Sequence, residues 1–172
     1  MFELENWSAV LGRPAQAKAQ IRGSKEYSKI SGRVHFYQTP RGVLVAAEVT
    51  GLPGGPQVTG RQAVADRCKS PVFAFHIHEG SRCAGNGADP FADVGTHYNP
   101  EGCEHPYHAG DLPPLFGNNG YAFMAVLTDR FTVSEIIGKT VIIHGDPDDF
   151  HTQPAGNAGM KIACGEIRRR GV

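Results

Sequence analysis

The stretch FAFHIHEGSRC, residues 73–83, carries two histidines one residue apart on what reads as a β-strand, with a cysteine shortly after them. In a strand, residues i and i+2 point to the same face, about 6.6 Å apart along the chain. His76 and His78 can therefore both turn towards a single metal ion. Two exposed histidines on a surface strand give the same pattern, so the surrounding residues have to decide between the two interpretations.

Short strand-like runs, separated by glycine and proline, follow one another along most of the chain. They are AKAQIRG (17–23), SGRVHFYQT (31–39), GVLVAAEVTGL (42–52), PVFAFHIHEG (71–80), YAFMAVLT (121–128), KTVIIHG (139–145) and MKIACGEI (160–167). Several of them alternate in polarity, helical periodicity is almost absent, and PRG at 40–42 is typical of a hairpin turn. This pattern predicts an all-β fold, a Greek-key sandwich or barrel of about eight antiparallel strands.

The length of 172 residues suits one domain with a sizeable core. We predict that this domain covers residues 17–172 and that residues 1–16 form an N-terminal extension, with a short helix over residues 5–11 that buries Trp7. The 17 basic and 17 acidic residues balance, so the overall charge favours neither nucleic acid nor a membrane surface as a partner. No apolar run approaches the roughly 20 residues needed to span a bilayer.

The N-terminal residues MFELENWSAVLGRPAQ lack the basic start, the apolar segment and the small-residue cleavage site of a signal peptide. We therefore expect a cytoplasmic protein. The four cysteines, Cys68, Cys83, Cys103 and Cys164, favour the opposite expectation, because disulfides usually belong to exported proteins.

Two long stretches break the strand pattern, residues 79–120 and 145–159. Loops longer than about 12 to 15 residues inside a compact domain are usually functional or disordered. The first stretch is dense in histidine, cysteine, aspartate, glycine and proline, which favours a functional loop. Within it, Asp89 and Asp93 are predicted to be turn and cap residues. Residues 53–70 have no such density, and we interpret them as a surface loop.

Six of the eight histidines gather in or beside these loops. They are His76, His78, His97, His105, His108 and His144, and Asp111 follows His108 by three residues. Three neutral imidazoles with one carboxylate suit tetrahedral zinc, and four imidazoles suit copper(II). The inventory allows both sites at once if one histidine is shared.

FHIHEG, VGTHYNP, HAGDLP, VIIHGDPDD and GNAGMKIACGEI occur in this order along the chain. Together they resemble the copper/zinc superoxide dismutase family over roughly residues 17–167, and HEGSRC and HAGDLP are similar to its bacterial branch. The resemblance implies a metal-binding loop in the first long stretch and an electrostatic-type loop in the second. It also implies a disulfide between Cys83 and Cys164. The competing pair is Cys83 with Cys103, which flank the same loop, and Cys68 is predicted to be a free or buried thiol.

The resemblance also assigns the metal ligands. Copper is expected on His76, His78, His97 and His144, and zinc on His97, His105, His108 and Asp111. His97 would bridge the two ions as an imidazolate. Asp148 would hydrogen-bond His76 and His105, and partners of this kind fix the tautomer and the orientation of ligand rings.

The expected activity is the dismutation of superoxide to oxygen and hydrogen peroxide by a redox-cycling copper that His97 bridges to a structural zinc. The family has an arginine beside the copper that attracts the anionic substrate, and the matching residue here is Lys161. Lysine keeps the charge but not the planar fork of donors, so we expect activity that is retained but reduced. Lys161 is expected to guide superoxide, with Asp146 and Asp149 opposing it.

A non-enzymatic copper- or zinc-binding module on the same fold is the competing interpretation. A carrier tolerates a missing ligand, whereas all seven ligand positions are filled here. Zinc-only hydrolysis needs an open position on the zinc ion, and the expected zinc set is closed. The oligomeric state is not readable from the sequence, so a homodimer is left open.

Overall fold

The structure is a computed structural model that describes residues 6–54 and 71–171. Eight strands account for most of the regular structure in this part of the chain. They are β1 (Ala17–Gly23), β2 (Ser31–Thr39), β3 (Gly42–Thr50), β4 (Val72–His78), β5 (Asp111–Phe116), β6 (Ala122–Thr128), β7 (Thr140–His144) and β8 (Lys161–Arg169). Two short helices, α1 (Trp7–Leu11) and α2 (Val133–Ile136), and a 3₁₀ turn (Ala92–Val94) accompany them.

The eight strands form one antiparallel sheet in the order β5-β4-β7-β8-β1-β2-β3-β6. The two outermost strands, β5 and β6, contact each other, so the sheet curls into a nearly closed barrel. Strands that are neighbours in space but distant in sequence, such as β1 with β8 and β3 with β6, give the Greek-key connections. The predicted all-β fold of about eight antiparallel strands is confirmed, as is the hairpin at residues 40–42 between β2 and β3.

Strand β4 contributes to both the core of the barrel and its polar outer face. Phe73, Phe75 and Ile77 point inward and are buried in the core. His76 and His78 alternate with them, so they lie on the outer face of the strand, yet they are only 0% and 2% exposed. The two long loops cover this outer face, and their contacts with the two histidines bury them.

Strand β5 lies inside residues 79–120, where the sequence predicts only a loop, so that prediction is wrong for this segment. The strand is not recognisable in the sequence because it contains Pro113 and Pro114. Proline has no N–H for a ladder bond and is confined to edges and bulges. β5 is an edge strand, and its register against β4 shifts between Phe73 and Phe75, opposite the two prolines.

The N-terminal segment packs on the outer face of β2 and β3. Helix α1 begins at Trp7, and the Asn6 side chain caps it by accepting the Ala9 N–H at 3.1 Å. Val10 is buried and Trp7 is half-buried against the sheet. Their cluster also contains Ala15, Tyr37, Leu44 and Ala46. A small apolar contact therefore holds this segment against the barrel.

Some predictions fall on residues that the structure does not describe. Cys68, most of the surface loop at 53–70 and the predicted helix start at residue 5 lie outside the described residues. The division into residues 1–16 and 17–172 stays a prediction. Within residues 6–54 and 71–171, no helix is long and apolar enough to cross a membrane.

Backbone hydrogen bonds hold the first long loop beside the end of β4. The Tyr98 N–H donates to the Ile77 carbonyl at 2.8 Å, and the Ile77 N–H donates to the Gly110 carbonyl at 2.9 Å. His97 and His78 form an isolated β-bridge in the same place. The loop therefore runs here like a short extra strand, and it brings His97 next to the histidines of β4.

A disulfide fastens the start of the first long loop to β8. Cys83 and Cys164 are bonded, with their Cα atoms 5.7 Å apart and a sequence separation of 81. Cys103 is an exposed free thiol. The pairing implied by the family resemblance is therefore confirmed, and the alternative with Cys103 is wrong. Phe91 and Val94 pack against the bond, in which Cys164 is buried and Cys83 is partly buried.

Removing the disulfide with Cys83→Ala and Cys164→Ala together should lower the free energy of unfolding by about 4 kcal/mol, because the bond closes a long loop in the unfolded chain. Urea unfolding followed by circular dichroism measures the change. Cys103→Ala, which removes an exposed free thiol, is the control and should leave the midpoint unchanged. Equal midpoints for the parent and the double variant would contradict this anchoring role.

Candidate metal centre

Four buried histidines, which we call the four-histidine group, meet on the outer face of β4 and β7. His76 and His78 lie on β4, His144 ends β7, and His97 comes from the first long loop. The Nε2 atoms of His78 and His144 are 3.3 Å apart, and the ring centroids of His76 and His97 are 4.1 Å apart. One ligand atom from each residue lies within 4.8 Å of the others, so a single ion can reach all four.

A second group, which we call the mixed group, combines three histidines with a carboxylate. It consists of His97, His105, His108 and Asp111. Asp111 Oδ1 is 2.7 Å from His97 Nδ1. Its Oδ2 is 3.0 Å from His105 Nδ1 and 3.2 Å from His108 Nδ1. Ligand atoms around tetrahedral zinc, with bonds of about 2.0 to 2.1 Å, stand about 3.3 Å apart, so the spacing is close to that of a zinc site.

The Asp148 carboxylate lies between the two groups and fixes two ring tautomers. Its Oδ2 is 2.8 Å from His76 Nε2, and its Oδ1 is 2.8 Å from His105 Nε2. An ionised carboxylate only accepts hydrogen bonds, so both Nε2 atoms carry the hydrogen. The Nδ1 atoms are left with lone pairs, that of His76 for the four-histidine group and that of His105 for the mixed group.

Backbone carbonyls fix two further tautomers. The Nδ1–H of His78 donates to the Gly95 carbonyl at 2.9 Å, and the Nδ1–H of His144 donates to the Gly159 carbonyl at 3.3 Å. The Nε2 atoms of both rings therefore keep their lone pairs, and these two atoms are the ones that approach each other inside the four-histidine group. In each ring, one nitrogen, which we call the rear nitrogen, is occupied by a hydrogen bond to the protein. The other nitrogen is left free for a metal ion.

Three buried ring nitrogens have no hydrogen-bond partner among the described residues: His76 Nδ1, His97 Nε2 and His105 Nδ1. His105 Nδ1 lies 3.0 Å from Asp111 Oδ2 but is not aligned to donate to it. A buried polar atom without a partner costs about 1 to 3 kcal/mol, and folded proteins leave few of them. Each of these nitrogens belongs to one of the two groups, where a metal ion would accept its lone pair. The donor set therefore fits two metal ions.

Burial keeps three rings of the four-histidine group, those of His76, His78 and His144, neutral. It lowers the pKa of His144 to about 3, with the neighbouring His76 adding to the effect, and it lowers the pKa of His78 well below its ordinary value. Burial also lowers the pKa of His76, although the hydrogen bond with Asp148 opposes this. Neutral imidazole is the form that binds a metal ion, so these rings are ready to bind at neutral pH.

The two carboxylates of the site stay ionised. Burial raises the pKa of Asp148, but hydrogen bonds from His76 and from the Phe150 N–H outweigh it and hold this pKa well below its usual range. Burial likewise raises the pKa of Asp111, but the hydrogen bond with His97 outweighs this and brings the pKa below its ordinary value. The site therefore carries negative charge that offsets the charge of bound cations.

Arg130 fastens the loop that carries the mixed group. Its Nη1 donates to the carbonyls of Pro106 and His108, each at 3.2 Å, and to that of Asp111 at 3.1 Å. This guanidinium therefore holds the loop at three points. No recognisable motif contains Arg130, and its partners lie 19 to 24 residues earlier in the chain, so the sequence contains no signal for this role.

Two residues of the second long loop complete the surroundings of His105. The His105 N–H donates to Gln153 Oε1 at 3.0 Å, and Gln153 Nε2 donates back to the His105 carbonyl at 2.6 Å. Gly156 has φ +65°, and a Cβ there would come within 2.6 Å of His105 Nε2 and 2.7 Å of Asp148 Cγ. Gly156 belongs to the GNAGMK motif, which signals its importance, whereas Gln153 has no such signal.

Lys161 begins β8 and pairs with His144 in the ladder, which places it beside the four-histidine group. Its Nζ donates to the Asp89 carboxylate, a contact for which the sequence contains no signal. Asp89 Oδ1 accepts the Phe91 N–H at 2.9 Å, so the predicted turn role of Asp89 is confirmed. Asp93 is exposed in the 3₁₀ turn.

The residues predicted to bind metal are brought together. Each of the six histidines and Asp111 lies in at least one of the two groups, and His97 lies in both. Asp148 contacts His76 and His105, the two histidines assigned to it. The roles of these residues as metal ligands remain predictions.

Known proteins share this sequence pattern and this fold. A sequence model of the family described as copper/zinc superoxide dismutase (SODC) matches residues 30–167. The chain belongs to the copper/zinc superoxide dismutase family. The prediction of an enzyme, a superoxide dismutase of the copper/zinc type, is confirmed by this match and by the relatives that follow.

Bacterial members of the family match most of the chain. Superoxide dismutase (Cu-Zn) 2 of Aquifex aeolicus is 30% identical over 94% of this chain and 91% of its own length. The enzyme of Legionella pneumophila is 33% identical over 80% of this chain and 77% of its own length. That of Deinococcus radiodurans is 31% identical over 80% and 76%. The predicted similarity to the bacterial branch is confirmed.

Solved structures agree with the barrel. A double mutant of a SOD-like protein from Bacillus subtilis has a TM-score of 0.68 and 25% sequence identity, and covers 88% of this chain and 96% of that chain. Another structure of a SOD-like protein from Bacillus subtilis has a TM-score of 0.66 and 24% identity, and covers 87% and 96%. At this level of identity the second structure supports the fold alone.

Gly156→Ala should weaken zinc binding by about tenfold or more, because the added methyl group would push Asp148 away from His105, and such partners tune metal affinity by this amount. Competition with a chromophoric chelator measures the zinc affinity. Gly138→Ala is the matched control: Gly138 also has a positive φ, +82°, but a Cβ there meets no described atom within 4 Å. An equal loss in both variants would show that backbone strain, and not the displacement of Asp148, is responsible.

Proposed function

We propose that the four-histidine group binds copper, that the mixed group binds zinc, and that superoxide is dismutated to oxygen and hydrogen peroxide at the four-histidine group. The donor sets support this assignment, since four imidazoles suit copper(II) and three imidazoles with one carboxylate suit tetrahedral zinc. Bound copper supplies the one-electron chemistry that oxidises one superoxide and reduces the next, whereas zinc has no redox chemistry.

The position of His97 carries the proposal. Its Nδ1 lies 2.7 Å from Asp111 in the mixed group, while its Nε2 is buried with no hydrogen-bond partner in the described part of the chain. Its ring centroid lies 4.1 Å from that of His76 and 4.9 Å from that of His78. A histidine that offers one nitrogen to each group can bridge two ions, which a carrier of a single metal does not require.

His97 is also the histidine best placed to move a proton. The rear nitrogens of the other three rings in the four-histidine group are held by Asp148 or by backbone carbonyls. The corresponding nitrogen of His97, Nδ1, contacts Asp111 in the mixed group instead. We infer that His97 Nε2 takes up a proton and passes it to the reduced substrate, which supplies one of the two protons that hydrogen peroxide requires.

Lys161 provides local positive charge in a chain whose formal net charge is +0. Superoxide is an anion, and a cation at the mouth of a site raises the rate of encounter. Lys161 is next to His144 in the ladder, and its side chain is 19% exposed, so an incoming anion can reach it. We assign to Lys161 the capture of superoxide.

Metal analysis combined with a superoxide assay tests the proposed function. Protein reconstituted with copper and zinc should hold one ion of each per chain and consume superoxide, and protein without copper should not. His97→Ala should abolish activity and weaken the retention of both metals. His35→Gln is the control, because His35 belongs to neither group, and it should behave like the parent. Full occupancy without superoxide consumption would instead indicate a non-enzymatic metal-binding module.

Lys161→Ala should lower kcat/KM by about three- to tenfold at low ionic strength and flatten its dependence on salt, because it removes a cation that attracts the substrate. Stopped-flow measurement of superoxide decay at several salt concentrations gives both quantities. Lys18→Ala removes an exposed charge from β1 and is the matched control. If Lys161→Ala keeps the rate and the salt dependence of the parent, Lys161 does not guide superoxide.

A further inference from the structure

The positive charge of Lys161 is paired with a carboxylate. Its Nζ donates to Asp89 Oδ2, in the first long loop, 72 positions earlier in the chain. The side chain of Lys161 is 19% exposed and that of Asp89 is 38% exposed. The pair therefore lies at the surface, where an incoming anion meets it.

A tight turn holds Asp89 in place. Its Oδ1 accepts the Phe91 N–H at 2.9 Å, and its own N–H donates to Asn86 Oδ1 at 3.1 Å. The Asn86 N–H donates in turn to the Asp89 carbonyl at 2.9 Å. Phe91 is buried in the cluster around the disulfide. The carboxylate of Asp89 is therefore fixed by its own turn, and the long side chain of Lys161 is the partner that adapts to it.

The pair lines a groove that borders the four-histidine group. A cavity of about 850 Å³ is lined by three segments, residues 24–27, 86–90 and 159–161. Gly159, whose carbonyl accepts the His144 Nδ1–H, belongs to this lining. The groove is therefore one hydrogen bond away from His144, a ligand of the proposed copper site, and Lys161 and Asp89 both line it.

We propose that Asp89 is a positioning residue that draws the Lys161 ammonium towards itself, offsets part of its charge, and thereby limits the rate of superoxide capture. The inference rests on the proposed function, because it concerns the anion that this site consumes. Two opposite charges in contact act on a distant anion as a dipole, whose attraction falls off faster with distance than that of a lone charge. Asp89 therefore acts through Lys161, without touching a metal ligand.

The other charges around the groove do not take this role. Lys25 and Glu26 both line it and carry opposite signs. The Asp146 carboxylate lies against Gly159, but no ion pair between described residues joins it to Lys161. Asp89 is therefore the acidic group that directly sets the charge presented by Lys161.

Asp89→Asn tests the inference, because asparagine keeps the Oδ1 acceptor for the Phe91 N–H and removes the charge. The variant loaded with copper and zinc should have a kcat/KM about two- to fivefold above that of the parent at low ionic strength, with a steeper fall as salt is added. Asp93→Asn is the matched control, since it removes the same charge from an exposed position in the same loop. It should show a clearly smaller gain. The double variant Asp89→Asn/Lys161→Ala should lose the gain.

Acylation of Lys161 in the metal-free protein gives a readout that does not depend on activity. The hydrogen bond to Asp89 Oδ2 holds the Lys161 Nζ against the first long loop, so that only 19% of the side chain is exposed to a reagent. Lys161 in Asp89→Asn should therefore react several-fold faster with acetic anhydride than in the parent, as measured by peptide mass spectrometry. Lys161 in Asp93→Asn should react at the rate of the parent.

Each outcome bears on a separate statement. Equal acylation rates in the parent and in Asp89→Asn would contradict the statement that Asp89 positions the Lys161 ammonium. Faster acylation with no gain in kcat/KM, or a gain no larger than that of Asp93→Asn, would overturn the effect on superoxide capture. A parent that holds both metals and consumes no superoxide would overturn the proposed function, and acylation would then still decide whether Asp89 holds Lys161.

Discussion

The buried carboxylate of Asp148, shared by two histidines, is the contact on which the rest of the site depends. Its two oxygens lie 2.8 Å from His76 on β4 and from His105 in the first long loop, and Asp148 itself belongs to the second long loop. One side chain therefore joins the barrel to both loops. It also determines which nitrogen of each ring carries the hydrogen, so the position of the loops and the chemistry of the rings are fixed together.

Histidines that face outward from a barrel are buried only if other segments cover them. Those segments must in turn be fixed to the barrel by contacts of their own. The disulfide holds the start of the first loop to β8, and Arg130 holds the part that carries the mixed group through three carbonyls. Gln153 joins the second loop to the first at His105. These contacts make the loops a fixed part of the barrel surface, and the resulting burial keeps the rings of His76, His78 and His144 neutral.

The sequence predicts those parts of the molecule whose information is local. Short strand-like runs between glycine and proline predict seven of the eight strands, and the family resemblance carried by short motifs in a fixed order predicts both histidine groups and Asp148. Strand β5 is not predicted, because its two prolines, Pro113 and Pro114, are typical of a loop. The contacts of Arg130, Gln153 and Asp89 are not predicted for another reason. Their partners lie up to 24, 48 and 72 residues away, respectively. A single contact over such a distance leaves no periodicity or spacing in the sequence, so only the folded chain reveals it.

All residues of the two groups lie at or before His144, yet the framework that holds them is not complete at that point in the chain. Strand β8 (Lys161–Arg169) joins β7 to β1 in the sheet and carries Cys164, the anchor of the first loop. Synthesis proceeds from the N-terminus, so a nascent chain contains every donor atom before it has the strand that organises them. Strand β8 therefore completes the framework of both groups last, although it contributes no residue to either of them.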